Sequence, residues 1–157
     1  MKLTLHSKII QFELGELVTN FILKLDGLNY VKNEFLPNFY DFELNSEGVS
    51  FQFADGVLET VFLFVAREDP DKGVFSGKID LIDDLFWKFP TRTNLNKFLS
   101  KTGFESVIIG KGLGREKLVK NGVFVDYYIS TDERSKELCL ETWRSDEILN
   151  SSGSNVV

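Results

Sequence analysis

The densest alternation of apolar and polar positions lies in VSFQFADGVLETVFLFV, residues 49 to 65, where two Val- and Phe-rich runs meet at Asp55-Gly56. β-branched and aromatic side chains suit a pleated, half-buried surface, and Asp-Gly between such runs is a hairpin signal. On the first run Val49, Phe51 and Phe53 share a face. On the second, strict alternation sets Leu58, Thr60, Phe62 and Phe64 against Val57, Glu59, Val61, Leu63 and Val65. Because that second run is apolar on nearly both faces, it is expected to be a central strand with material packed over each side.

The rest of the chain supplies neighbours for it. Residues 2 to 14 read as an edge strand or loop. From Glu16 to Leu25 the apolar positions Leu17, Val18, Phe21, Ile22 and Leu25 recur at spacings of three and four, and Asp26-Gly27 ends the pattern, which predicts a first covering helix. The stretch from Leu28 to Asn38, with Pro37, reads as a connection, and Phe39 to Leu44 as a strand that folds back onto Val49 through Asn45-Ser46-Glu47-Gly48. After a charged loop at residues 67 to 73, Val74 to Leu81 is expected to return to the sheet. Ile82 to Pro90 reads as either a helical turn or an aromatic loop. Thr91 to Lys101 predicts a second helix, with a Thr cap, an apolar stripe of Leu95, Phe98 and Leu99, and Gly103 beyond the end. Asn121-Gly122 predicts another hairpin, and Glu137 to Trp143 a closing strand with Glu137, Cys139, Glu141 and Trp143 on one face. The expected fold is α+β: an antiparallel meander sheet with two covering helices, one domain over residues 1 to 149, and a disordered tail from 150 to 157.

The chain's 157 residues are enough for one domain with a sizeable core. A single Cys, Cys139, excludes an intramolecular disulfide, and with His6 as the only His it excludes the Cys/His clusters of structural zinc. No apolar run reaches membrane-spanning length and the amino terminus lacks a signal peptide's apolar core, so a cytoplasmic location and no membrane partner are expected. A formal net charge of -6 argues against direct binding of nucleic acid and favours a basic partner.

Candidate chemistry is sparse. Gly110, Gly112 and Gly114 match neither the dinucleotide nor the phosphate-loop spacing and read as a hairpin loop. Lys97, Lys101, Lys111, Arg115, Lys117 and Lys120 read as solvated surface. Asp83-Asp84 beside Trp87 could be a general acid/base pair with a sugar-stacking platform, but adjacent carboxylates are common by chance in a chain with 24 acids, and the separation across a cleft by which catalytic carboxylates are recognised is not given by sequence. Cys139 and His6 stand in no nucleophile motif, and Cys139 reads as a small buried hydrophobe. No catalytic residue, cofactor or metal is assigned. The 15 Phe could line a ligand cavity, which gives a small-ligand-binding domain as the alternative function.

The phrases LGE (14 to 16), FYDFELNSEGVSFQFADGVLETVFLFV (39 to 65), VFSGKI (74 to 79), KTGFES (101 to 106) and VKNGVFVDYYIS (119 to 130) follow one another in a layout that resembles small bacterial immunity proteins. These accompany polymorphic toxins, including those of contact-dependent growth inhibition. The resemblance implies a non-enzymatic cytoplasmic protein that forms a heterodimer with its cognate toxin domain, a nuclease being the expected class, and blocks its active site or access to substrate. It carries over no binding residue by position. On physical grounds, acids beside aromatics would supply steering and buried anchors, and two surfaces qualify: Asp83, Asp84 and Trp87; or Asp126, Tyr128, Glu137, Glu141 and Trp143.

Overall fold

A computed structural model describes residues 1–82, 91–109 and 115–142. Its main feature is an eight-stranded antiparallel sheet formed by two consecutive four-stranded meanders. The first comprises β3 (Val31–Leu36), β4 (Phe39–Leu44), β5 (Val49–Ala54) and β6 (Val57–Ala66); the second comprises β8 (Glu105–Ile109), β9 (Arg115–Lys120), β10 (Val123–Ile129) and β11 (Lys136–Glu141). They meet last strand to last strand, giving the order β3-β4-β5-β6-β11-β10-β9-β8. A smaller sheet, β2-β1-β7, joins β1 (Lys2–Thr4), β2 (Ile9–Gln11) and β7 (Lys78–Ile79). Each meander follows a helix: α1 (Val18–Phe21), continued by a 3-10 turn over Ile22–Leu25, and α2 (Arg92–Lys101). The α+β meander architecture with two helices is therefore present, and β6 is interior to the sheet as expected.

The turns explain the pairing. Asp55 and Gly56 have φ of 51° and 78°, and Asn121 and Gly122 have 52° and 75°, the two positive values a type I′ hairpin requires. Thr91 caps α2 by accepting a hydrogen bond from the Asn94 N–H at 3.2 Å.

One face of the main sheet builds the core. Phe42, Phe51, Val61, Leu140, Val125 and Leu118 lie in register across six strands, and all are buried. Phe21 and Leu25 from the first helical segment and Leu95 and Leu99 from α2 join the same cluster, as do Leu3, Ile10 and Ile79 of the small sheet. Its centre is aromatic. The Phe21 ring lies 4.7 Å from Phe51 and 5.3 Å from Phe53, and Phe12 meets Phe51 edge-on at 5.7 Å.

Four expectations are corrected. The span from Leu28 to Asn38, read as a connection, contains β3, an edge strand exposed along most of its length. Pro37 and Asn38 are its hairpin turn, Asn38 having φ of 68°. The first helix is shorter than Glu16 to Leu25. Leu17 instead bridges to Val57, and no side chain caps the helix start. Val74 to Leu81 returns not to the main sheet but to β1, through β7. Finally, strict alternation fails along β6. Phe53 opposes Leu58 but Gln52 opposes Thr60, so Glu59 is an extra residue, a β-bulge. Leu58 is thereby moved to the core face with Val61 and Leu63, and all three are fully buried.

Two substitutions test this division of the aromatics. Phe51→Ala, which removes the ring at the centre of the cluster, is expected to cost about 3–5 kcal/mol of unfolding free energy. Phe35→Ala, on the exposed edge strand at 58% exposure, is expected to stay within about 0.5 kcal/mol of the parent in the same denaturant titration.

Candidate functional site

Opposite the core, the main sheet presents a second face whose residues follow from the register. One row runs Glu43, Ser50, Phe62, Cys139, Asp126, and the next runs Asp41, Gln52, Thr60, Glu141, Phe124. Phe64 and Tyr128 flank Glu137 in a third. Of the residues singled out from the sequence, Asp126, Tyr128, Glu137 and Glu141 are thus brought together on one face, beside Phe62 and Phe64 of β6. Asp83, Asp84, Trp87 and Trp143 lie outside the described residues, as does the tail from 150.

The two ends of this face differ. Strand β10 pairs with β9 only from Val123 to Val125; beyond that β9 stays with β8, and β10 with β11. A knot of charge occupies the parting. Arg92, the first residue of α2, donates through Nη2 to the Glu116 carbonyl of β9 at 2.6 Å and approaches Asp126 Oδ1 of β10 at 3.3 Å. Lys117 pairs with Glu141 and lies 3.9 Å from Asp126 Oδ2. Asp126 Oδ1 also accepts the Tyr127 N–H at 2.8 Å. Asp126 is 3% exposed and Lys117 5%, so two expectations fail together: Asp126 is not an outward steering acid, and Lys117 is not solvated surface. Glu141 is engaged by Lys117 and is largely buried too. Charge next to the parting of two strands is held by an opposite charge because isolated burial would cost several kcal/mol.

Cys139 lies between Phe62 and Asp126 in the register and is 1% exposed. Burial, with Glu141 beside it, pushes its thiol far above the usual range, so it is an unreactive packing residue as expected. His6 is engaged elsewhere, its Nε2 being 2.7 Å from Ser76 Oγ.

At the other end, Arg67 stacks 3.9 Å from the centre of the Phe64 ring and pairs with Glu43, which Lys72 also approaches at 3.5 Å. Phe64, Arg67 and Lys72, with Ser135, Lys136 and Glu137, line a depression of about 280 Å³. Burial raises the Glu137 carboxyl above its ordinary range, and the Arg67 charge only partly offsets this. Among the described residues, no group of three or more His, Cys, Asp or Glu could hold a metal, and no helix is long and apolar enough to cross a membrane.

Sequence reasoning missed both Arg67 and the Phe62–Phe64 pair as members of this face. The reason is that this face is assembled by the pairing of β6 with β11, strands far apart in the chain, and alternation along either strand alone does not reveal that neighbour. No family model, curated protein or solved structure matches this chain.

Two predictions follow from the paired charges. Lys117→Met leaves Glu141 and Asp126 short of a cation and is expected to cost about 3 kcal/mol or more; adding Glu141→Leu should recover part of that loss, as read by a double-mutant cycle in urea. For Glu137 the folded carboxyl titrates above its unfolded value, so the protonated form favours folding. Stability is then lost as pH rises from the ordinary carboxylate range through the raised folded value. Glu137→Gln should therefore raise the melting temperature at pH 7, with the gain disappearing in scans below the ordinary carboxylate range.

Proposed function

We propose that this chain is an immunity protein that binds and neutralises a secreted bacterial toxin domain, a nuclease being the favoured class, by covering its active site or its access to substrate. The observation that carries the reading is the second sheet face. There Phe62, Phe64 and Tyr128 are half-exposed beside Gln52, Asp41 and Glu137, the mixture of aromatic contact area and carboxylates that suits a basic protein partner. The excess of 24 acids over 18 bases supports the same choice through faster encounter with a cationic surface. The resemblance in layout to immunity proteins adds to it. The bound state would be a heterodimer with the toxin domain, in the cytoplasm, without catalysis by this chain.

The internal ion pairs refine how the face would work. Asp126 and Glu141 are already neutralised by Arg92 and Lys117, so Glu137 and Asp41 are the acids left for a partner, and the aromatics supply the anchors. The alternative, a Phe-lined ligand cavity, gains no support from the core, where Phe12, Phe21, Phe42, Phe51 and Phe53 fill the interior by ring-on-ring packing.

The test is co-expression with the toxic carboxyl-terminal domain that this reading expects the neighbouring gene to encode. The expected result is rescue of growth and a stable one-to-one complex. Phe62→Ala or Tyr128→Ala should speed dissociation, costing about 2 kcal/mol at a buried anchor, whereas Glu137→Lys should chiefly slow association. Absence of binding to that domain by the folded parent protein would reject the reading.

A further inference from the structure

The main sheet ends at β3, whose outer side pairs with no strand among the described residues. It is a full six-residue strand, exposed at every position except Asn33, and it carries Val31 at 48% exposure, Phe35 at 58% and Leu36 at 63%, with Tyr30 just before it. Such an edge is a template for another strand. Its sequence specifies which one.

Around Asn33 the strand reads Val31, Lys32, Asn33, Glu34, Phe35. Placed antiparallel to a second copy of itself about a two-fold axis through Asn33, Lys32 of one copy faces Glu34 of the other, and Glu34 faces Lys32. Val31 faces Phe35, and Tyr30 faces Leu36. Because Lys32 and Glu34 oppose Phe42 and Tyr40 of β4, they project on the same side of the sheet, and the symmetric pairing sets both ion pairs there. Val31 and Asn33 oppose Glu43 and Asp41 and project on the opposite side. Both charged side chains are exposed and positioned from below: Lys32 Nζ lies 4.5 Å from the centre of the Tyr40 ring, and the Glu34 charge is felt by the Tyr40 hydroxyl, whose pKa is raised chiefly by burial and secondarily by Glu34. Opposite charges directly across a strand pair stabilise it and like charges oppose it, so the same four residues that favour self-pairing in this register disfavour slipped registers.

We propose that two copies of this chain associate through β3, forming a two-fold symmetric dimer whose two eight-stranded sheets are continuous across the joint. The interface is isologous and closes on itself. Its length is limited at both ends, because the two-fold axis sets one copy's bulge at Phe35, where the β3–β4 register shifts, at each end, with Pro37, which has no N–H to donate, just beyond it. The joint uses neither β6, β10 nor β11, so it leaves the second sheet face open and does not depend on the function proposed above. A repulsion between two chains of charge -6 opposes association at low ionic strength, but it is spread over both molecules and screened by salt, whereas the Lys32–Glu34 pairs are local.

Sedimentation equilibrium of the full chain in physiological salt tests the proposal. The parent protein is expected to show a reversible monomer–dimer equilibrium at concentrations up to about 100 µM. Lys32→Glu and Glu34→Lys each set like charges across both symmetric pairs, and each should raise the dissociation constant by about tenfold; the double variant Lys32→Glu with Glu34→Lys restores opposite charges and should return to within about threefold of the parent. Thermal unfolding of each variant establishes that it is folded. Asn33→Cys should give a cross-linked dimer with a short bis-maleimide, because the axis places position 33 opposite itself, while Cys139 is buried and inert. A parent protein that stays monomeric over the whole range, a dimer indifferent to the single reversals, or a double variant no better than the singles overturns the proposal. A monomer whose edge is instead occupied by a strand of the toxin domain would also overturn it.

Discussion

Everything in this molecule depends on the antiparallel pairing of β6 with β11. Each of the two meanders is local in sequence, but neither closes a core alone: Val61 and Leu63 of β6 lie directly across from Leu140 and Leu138 of β11, and these four fully buried residues make one apolar surface of two. The pairing joins segments seventy or more residues apart, so its loop-closure entropy is met before its contacts form. Both helices pack on the surface it completes. The same seam creates the second face, since it places Phe62 beside Cys139 and Phe64 beside Glu137.

The features with a local physical cause were legible in the sequence. Asp55-Gly56 and Asn121-Gly122 dictate their hairpins through residues that tolerate positive φ, and Thr91 with Leu95 and Leu99 specifies α2 by cap and spacing. What was not legible depended on partners distant in the chain. Strand β3 is exposed on both sides, so it carries none of the alternation by which a half-buried strand is recognised, and Pro37 in its turn mimics a loop. The bulge at Glu59 leaves no signature of its own: Leu-Glu-Thr reads as plain alternation until β5 imposes the register. The first helix was overestimated because Leu17, at the right spacing, is drawn into a bridge with Val57.

The candidate site divides in the same way. Period-two alternation correctly gathered Asp126, Tyr128, Glu137 and Glu141 on one face, because β10 and β11 pair without a shift over that span. It could not tell which of those acids are spent internally. That is decided by the parting of β9 from β10, which brings Lys117 and Arg92 to Asp126 and Glu141, and by a helix start that lies 34 residues before Asp126 in the chain. Counting acids along a sequence therefore overstates what a surface offers. The residues that keep an uncompensated carboxylate on this face are fewer than the formal charge suggests, and the burial that raises Glu137 makes even that one costly to ionise without a cationic partner.

A related argument connects the face to the sheet edge. A flat or lightly charged edge strand is hazardous, and proteins commonly blunt it with charge, bulges or proline. On β3 and its turn all three are present, at Lys32 and Glu34, Phe35 and Pro37, yet they are not distributed as simple deterrents. Two deterrents of the same sign would repel a second β3; one of each sign, placed symmetrically about Asn33, favours one register of self-pairing and sets like charges across the registers slipped by two residues. The apolar residues Val31, Phe35 and Leu36 then sit at the ends of that one register, where they add contact area only if the central charges already match. The second face has no such internal symmetry. Its aromatics and its remaining acids lie on β4, β6, β10 and β11 in rows that no two-fold axis through the edge can superpose on themselves. Under the two proposals the occupants differ: the edge would take a second copy by self-complementarity, and the face an unlike molecule that supplies the charge opposite to its remaining acids.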